Sequence, residues 1–170
     1  GAGWKYEADN GFAISTNFTT QDGETSTGML TDEGKTSWAT QVGYTQPRYS
    51  VSAIVNMKYN QWVDEYFQST AGLARGGDGS STNIGLRGWW RPESTGTATP
   101  SISAGYDTSE TDNAGDSNTT AYFVGLNWQD IFSADDRIGI AVGQPQKLEN
   151  DTVDPFLYEI YYSYRVNDST

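Results

Sequence analysis

A chain of 170 residues with 22 acidic and 10 basic side chains has a formal charge of −12 and contains neither cysteine nor histidine. The charge excludes a general nucleic-acid binder, which needs a basic stripe against phosphate. The two missing residue types exclude disulfides, thiolate or imidazole metal sites, and Ser-His or Cys-His nucleophiles.

In chain order, weak alternation of apolar and polar residues predicts strands over 4–8 and 12–18, joined by Asp9-Asn10-Gly11, where Asn-Gly favours the positive φ of a tight hairpin. The long polar stretch 19–35 leads to a third weak strand, 37–44, and the short connection 45–48 to a strong fourth. There Tyr49, Val51, Ala53, Val55, Met57 and Tyr59 alternate with Ser50, Ser52, Ile54, Asn56 and Lys58. After the long stretch 60–82, Ile84, Leu86, Gly88 and Trp90 alternate with Gly85, Arg87 and Trp89. A moderate connection, 91–99, precedes a weaker strand at 100–106, and the polar loop 107–118 follows. Tyr122, Val124, Leu126 and Trp128 then alternate with Phe123, Gly125 and Asn127. Beyond the compact connection 129–136, Ile138, Ile140 and Val142 alternate with Arg137, Gly139, Ala141 and Gly143. An acidic loop, 145–154, leads to the clearest strand of all: Phe156, Tyr158, Ile160, Tyr162, Tyr164 and Val166 alternate with Leu157, Glu159, Tyr161, Ser163 and Arg165. At about 11 residues it suits a tilted strand crossing a bilayer, since soluble strands average about half that.

No window sustains a 3.6-residue period, so the chain is expected to be all-β, one domain over 1–170 with about nine strands. Short and long connections largely alternate, which predicts antiparallel neighbours, with Asn10, Pro47, Gly96, Ser133 and Asp168 at one rim. Outer-membrane barrels have this asymmetry of turns and loops. Hydrophobic content of 35% and the lack of any run near the roughly 20 apolar residues of a spanning helix suit such a barrel, because half of each strand faces a polar lumen.

Two sets of wall residues follow. Tyr49, Val51, Val55, Phe156, Tyr158, Ile160, Tyr162 and Tyr164 are expected to face lipid. Lys58, Arg87, Arg137, Glu159 and Arg165 lie on the opposite face and are expected to line a pore, because a charge at the lipid midplane costs about 2–4 kcal/mol. The bases would weight permeation toward anions, or else pair with wall carboxylates or sit near a rim. In the stretch 60–82, Trp62, Tyr66 and Phe67 are candidates for a constriction folded into the lumen.

Three segments carry a family resemblance: Glu7 to Phe12 (EADNGF), Ile138 to Pro145 (IGIAVGQP) and Tyr158 to Asp168 (YEIYYSYRVND). They resemble cyanobacterial outer-membrane porins of the carbohydrate-selective, OprB-like kind, often labelled iron uptake porins. The likeness spans most of the chain, and its last third is the distinctive part, with a hairpin around Gly143-Gln144-Pro145 followed by the tyrosine-rich strand. Gln146 departs from the second proline of that motif. The resemblance implies a C-terminal-side portion of a barrel of about 16 strands. It further implies a homotrimer in the cell outer membrane, passing inorganic ions, iron species or small carbohydrates passively. The family's signal segment, surface-layer-homology domain and remaining strands are not found in this sequence. The ends, Gly1-Ala2-Gly3-Trp4 and Asn167-Asp168-Ser169-Thr170, and the odd strand count lead to the same expectation of a partial barrel.

Other chemistries are weaker. A carboxylate-pair glycosidase would have to use Glu7 and Glu159, which are too scattered, so no enzyme activity is expected. The acidic segment 107–116 lacks the spacing and glycine of an EF-hand, so neither a metal site nor a cofactor is expected. The rival class is a soluble β-sandwich or carbohydrate-binding module, with Trp62, Tyr66 and Phe67 as sugar platforms.

Overall fold

Alternation of period two is satisfied only by extended chain, because successive strand side chains point to opposite faces. The computed structural model describes residues 1–21, 23–29, 31, 33–60, 80–111 and 118–166, and these residues form nine strands and no helix. The strands are β1 (Ala2–Glu7), β2 (Phe12–Thr20), β3 (Thr36–Gln46), β4 (Tyr49–Tyr59), β5 (Ser81–Trp90), β6 (Ser101–Thr111), β7 (Thr119–Gln129), β8 (Arg137–Leu148) and β9 (Leu157–Ser163). Each pairs antiparallel with its sequence neighbour, in one open up-and-down sheet with β1 and β9 at the edges. Among the described residues there is no second sheet packed against this one.

The connections 8–11, 47–48, 91–100 and 130–136 share one rim, with Asn10, Pro47, Gly96 and Ser133 at the expected positions. Asp168 lies outside the described residues. The opposite strand ends, Thr20 and Thr36, Tyr59 and Ser81, Thr111 and Thr119, and Leu148 and Leu157, border the longer connections and share the other, long rim. Gly11 makes the first turn possible: its φ is +92, and a Cβ there would meet the Thr45 carbonyl oxygen at 2.1 Å. The turn is locked to the next hairpin by Thr45 N donating to Gly11 O at 2.9 Å.

Strands β2 to β8 run 9–12 residues, near the 9–11 of a bilayer-spanning strand. They are staggered. The hydrogen-bonded row that starts at Phe12, on the short rim, passes through Tyr44, Val51, Gly88, Ala104, Val124 and Val142, and ends at Tyr158, close to the long rim. Such progressive stagger accompanies strands tilted across a sheet.

Three strands depart furthest from their sequence expectation. β9 has 7 residues, not about 11, so Phe156, Tyr164 and Arg165 fall just outside it. It is an edge strand, paired only to β8 between Gly143↔Leu157 and Arg137↔Ser163, and at its C-terminal end its alternation runs past Arg137, the first residue of β8. β8 instead continues through Gly143-Gln144-Pro145 to Leu148, where a hairpin was expected. Pro145 is tolerated because the register shifts opposite it, between Thr120 and Tyr122, and proline is accepted at such bulges. β6 extends to Thr111, so Asp107 is a strand residue and not part of a loop.

Candidate functional site

The register sorts the strand residues onto two faces of opposite chemistry. One carries Ile14, Val42, Val51, Val55, Ile84, Leu86, Val124, Leu126, Ile140, Val142 and Ile160 through its middle. Aromatics flank this band. Phe12, Tyr44, Tyr49, Trp90, Trp128 and Tyr162 lie toward the short rim, and Phe18, Trp38 and Tyr59 toward the long one. This face is uncovered: Val51 is 56% exposed, Leu86 48% and Ile160 69%. Tyr49, Val51, Val55, Tyr158, Ile160 and Tyr162 all belong to it, and Phe156 and Tyr164 continue its spacing beyond β9.

Small and polar residues make up most of the other face, including Ser15, Ser52, Asn56, Asn83, Ser103, Gly105, Ser109, Gly125 and Asn127. They are cross-linked. Ser37 Oγ donates to Asn56 Oδ1 at 2.9 Å, Asn83 Nδ2 donates to the Asn56 carbonyl at 3.1 Å, and Ser109 Oγ donates to Asn83 Oδ1 at 2.6 Å. Ser37, Ser109 and Thr119 are buried although this face is polar. Two of its rings occupy the space over glycines of the facing strand. A Cβ on Gly105 would meet Phe123 Cε1 at 2.3 Å, and one on Gly139 would meet Tyr161 Cε1 at 2.1 Å.

Lys58, Arg87, Arg137 and Glu159 are all strand residues of the polar face, at different heights. Arg87, at mid-height, bonds Asp107 Oδ2 at 2.7 Å, and its guanidinium lies 5.6 Å from the Phe123 ring. Lys58 is near the long rim and Arg137 opens β8 at the short one. Arg165, beyond β9, reaches Asp135 Oδ2 at 3.2 Å. Glu159 joins no ion pair with a described residue. The structure therefore does not bring these five together, and the central cation is paired with a carboxylate. Trp62, Tyr66 and Phe67 lie outside the described residues.

Sequence reasoning missed three features of this face and its rim. Asp107 was hidden because the apolar half of the alternation fades after Tyr106 while the polar half continues through Ser109. At the short rim, Asp136 is fully buried in the β7–β8 turn and accepts from Ile131 N at 2.8 Å, Phe132 N at 2.9 Å, Ser133 N at 3.1 Å and the Tyr162 hydroxyl at 3.3 Å. Burial pushes its carboxyl up, but these donors outweigh that and hold it below the ordinary carboxylate range. Arg48 and Arg91, assigned from sequence only to connections, meet at the β3–β4 and β5–β6 turns.

These features define a single antiparallel sheet with an exposed apolar face and a hydrogen-bonded polar one. Comparison with family models, curated proteins and solved structures finds no match, so the function is argued from this geometry and from the sequence resemblance.

Proposed function

We propose that the sheet is a section of the wall of an outer-membrane β-barrel and that the protein is a porin passing small hydrophilic solutes. One observation carries the reading: an uncovered apolar face, flanked by aromatics, runs across all nine strands, and the polar groups are gathered on the other side. A contiguous apolar surface beyond a few hundred Å² is rare on a water-facing monomer, whereas a barrel wall presents such a surface to lipid. The buried small polar residues fit a sheet curled toward its polar side, as a wall around a lumen would be.

Strand parity bears on completeness. β1 and β9 run in the same direction, so they cannot close antiparallel onto each other, and an open edge is not viable in lipid. Antiparallel closure therefore needs an odd number of further strands, in keeping with the larger, trimeric porins that the sequence resembles. Inorganic ions, iron species and small sugars are the candidate solutes. Asp107 offsets Arg87 on the wall, which argues for weak charge selection.

The chain should stay monodisperse only with detergent or liposomes, and the full-length protein should give ohmic conductance in a planar bilayer. A monomer that remains soluble in plain buffer and binds sugars would replace the porin with a carbohydrate-binding module. A saturable, gated conductance would replace it with a specific transporter.

A further inference from the structure

At the short rim, the turn 47–48, the connection 91–100 and the adjoining ends of β6 and β7 line an open pocket of about 290 Å³. Arg48 and Arg91 are fixed in its wall by each other's turns. Arg48 Nε donates to the Arg91 carbonyl at 3.4 Å, Arg91 Nε donates to the Pro47 carbonyl at 2.8 Å, and Arg91 N donates to the Arg48 carbonyl at 2.9 Å. Each guanidinium also packs 5.8 Å from a tryptophan ring, Arg48 on Trp90 and Arg91 on Trp89. Since Trp90 belongs to the apolar face and Trp89 to the polar one, the two cations straddle the rim. The remaining lining is rich in donors, with Ser94, Thr95, Thr97 and Ser101 among them.

We propose that this pocket binds a phosphate group. Planar guanidinium forks match phosphate oxygens in a bidentate way, and hydroxyls can donate to the oxygens left over. Both side chains are held by their Nε atoms and by ring contact, so little rotamer freedom remains to be lost on binding. The volume lies at the low end of ligand pockets, enough for phosphate and a small ester. The carboxylate in the lining, Glu93, is 3.6 Å from Arg48 with its side chain 87% exposed, a weak surface contact that phosphate can displace. The phosphate could be free in solution or belong to a phospholipid headgroup beside Trp90. The pocket is local to two turns and does not depend on the sheet forming a pore.

The test is titration of inorganic phosphate against the full chain folded in a zwitterionic detergent, at constant ionic strength set with chloride, read by calorimetry and tryptophan fluorescence. Saturable binding is expected. Arg91→Gln and Arg48→Gln should each weaken it about tenfold, the loss of one charge-assisted contact. Glu93→Gln, at an exposed site where the fold is not at risk, should strengthen it. Adding an anionic phosphatidylglycerol lysolipid separates the sources: competition with phosphate identifies a headgroup site, and undisturbed phosphate binding a solute site. Binding of the lysolipid alone, lost in the arginine variants, also supports the headgroup. No saturation by phosphate or lysolipid, or binding unchanged in Glu93→Gln and in both arginine variants, overturns the proposal.

Discussion

At the scale of single residues, Asp136 shows how one buried carboxylate organises a rim turn. Asp130 and Asp135 take φ of 60 and 65, and Asp130 Oδ1 accepts from Asp135 N at 2.7 Å, while Asp136 collects the amides of Ile131, Phe132 and Ser133 earlier in the turn. A carboxylate offers several acceptor positions on two oxygens, and an amide side chain would turn a donor toward those N–H groups. The depressed folded value means that protons favour the disordered turn. Its stabilisation is complete above the ordinary aspartate value of about 3.9 and is lost as pH falls through the lower folded value. Protection of the Ile131, Phe132 and Ser133 amides, taken relative to their intrinsic exchange rates, should therefore stay high from pH 7 to about 4 and fall only below that. Asp136→Asn should already show the acid behaviour at pH 7. Melting of this turn near pH 6, or slow exchange in the Asn variant, would contradict the assignment. Nothing in the sequence singles out Asp136 from its neighbour Asp135, because the distinction lies in which of them the backbone turns inward.

At the scale of elements, the sequence is most legible where both faces of a strand keep contrasting chemistry. β4 runs over the expected residues, 49–59, since Tyr, Val and Met on one side face Ser, Asn and Lys on the other to its last residue. β6 and β8 run longer than their alternation predicts because their apolar stripe thins to Thr108, Glu110 and Gln144, while β6 still pairs with β5 and β7 and β8 still pairs with β7. The opposite holds at the C-terminal end of β9, where the alternation persists through Tyr164 and Val166 although β8 begins only at Arg137, opposite Ser163. The charges of the polar face were legible as to face but not as to partners, because Arg87 of β5 meets Asp107 of β6. The glycines opposite Phe123 and Tyr161 were equally invisible, since their register depends on folded pairing. They make a test of that register. Gly139→Val should overpack Tyr161 and destabilise the folded state by about 1–3 kcal/mol in denaturant titration. Adding Tyr161→Ala should recover much of the loss, giving a coupling energy of about 1 kcal/mol or more. Strict additivity would mean that the ring does not cover Gly139.

At the scale of the whole molecule, the two faces need opposite solvents, and adjacent residues at the middle of β3 can report which solvents they have. Val42 is on the apolar face and Gln41 on the polar one, and both are exposed in the isolated sheet. Were both faces wetted, Val42→Arg and Gln41→Arg would each change stability by no more than about 0.5 kcal/mol, as surface substitutions do. If the apolar face meets hydrocarbon, arginine at position 42 carries the midplane penalty of about 2–4 kcal/mol, while arginine at 41 stays in the lumen and costs about 1 kcal/mol or less. The acid-rich long rim does not alter this comparison, because exposed charges are screened within about 10 Å at 0.1 M salt. Reversible urea unfolding of the protein from phosphatidylcholine vesicles measures the difference directly. A penalty confined to position 42 is expected. Equal small effects at 41 and 42 would show the apolar face to be wetted, and equal large ones would show it to be packed against protein on both sides.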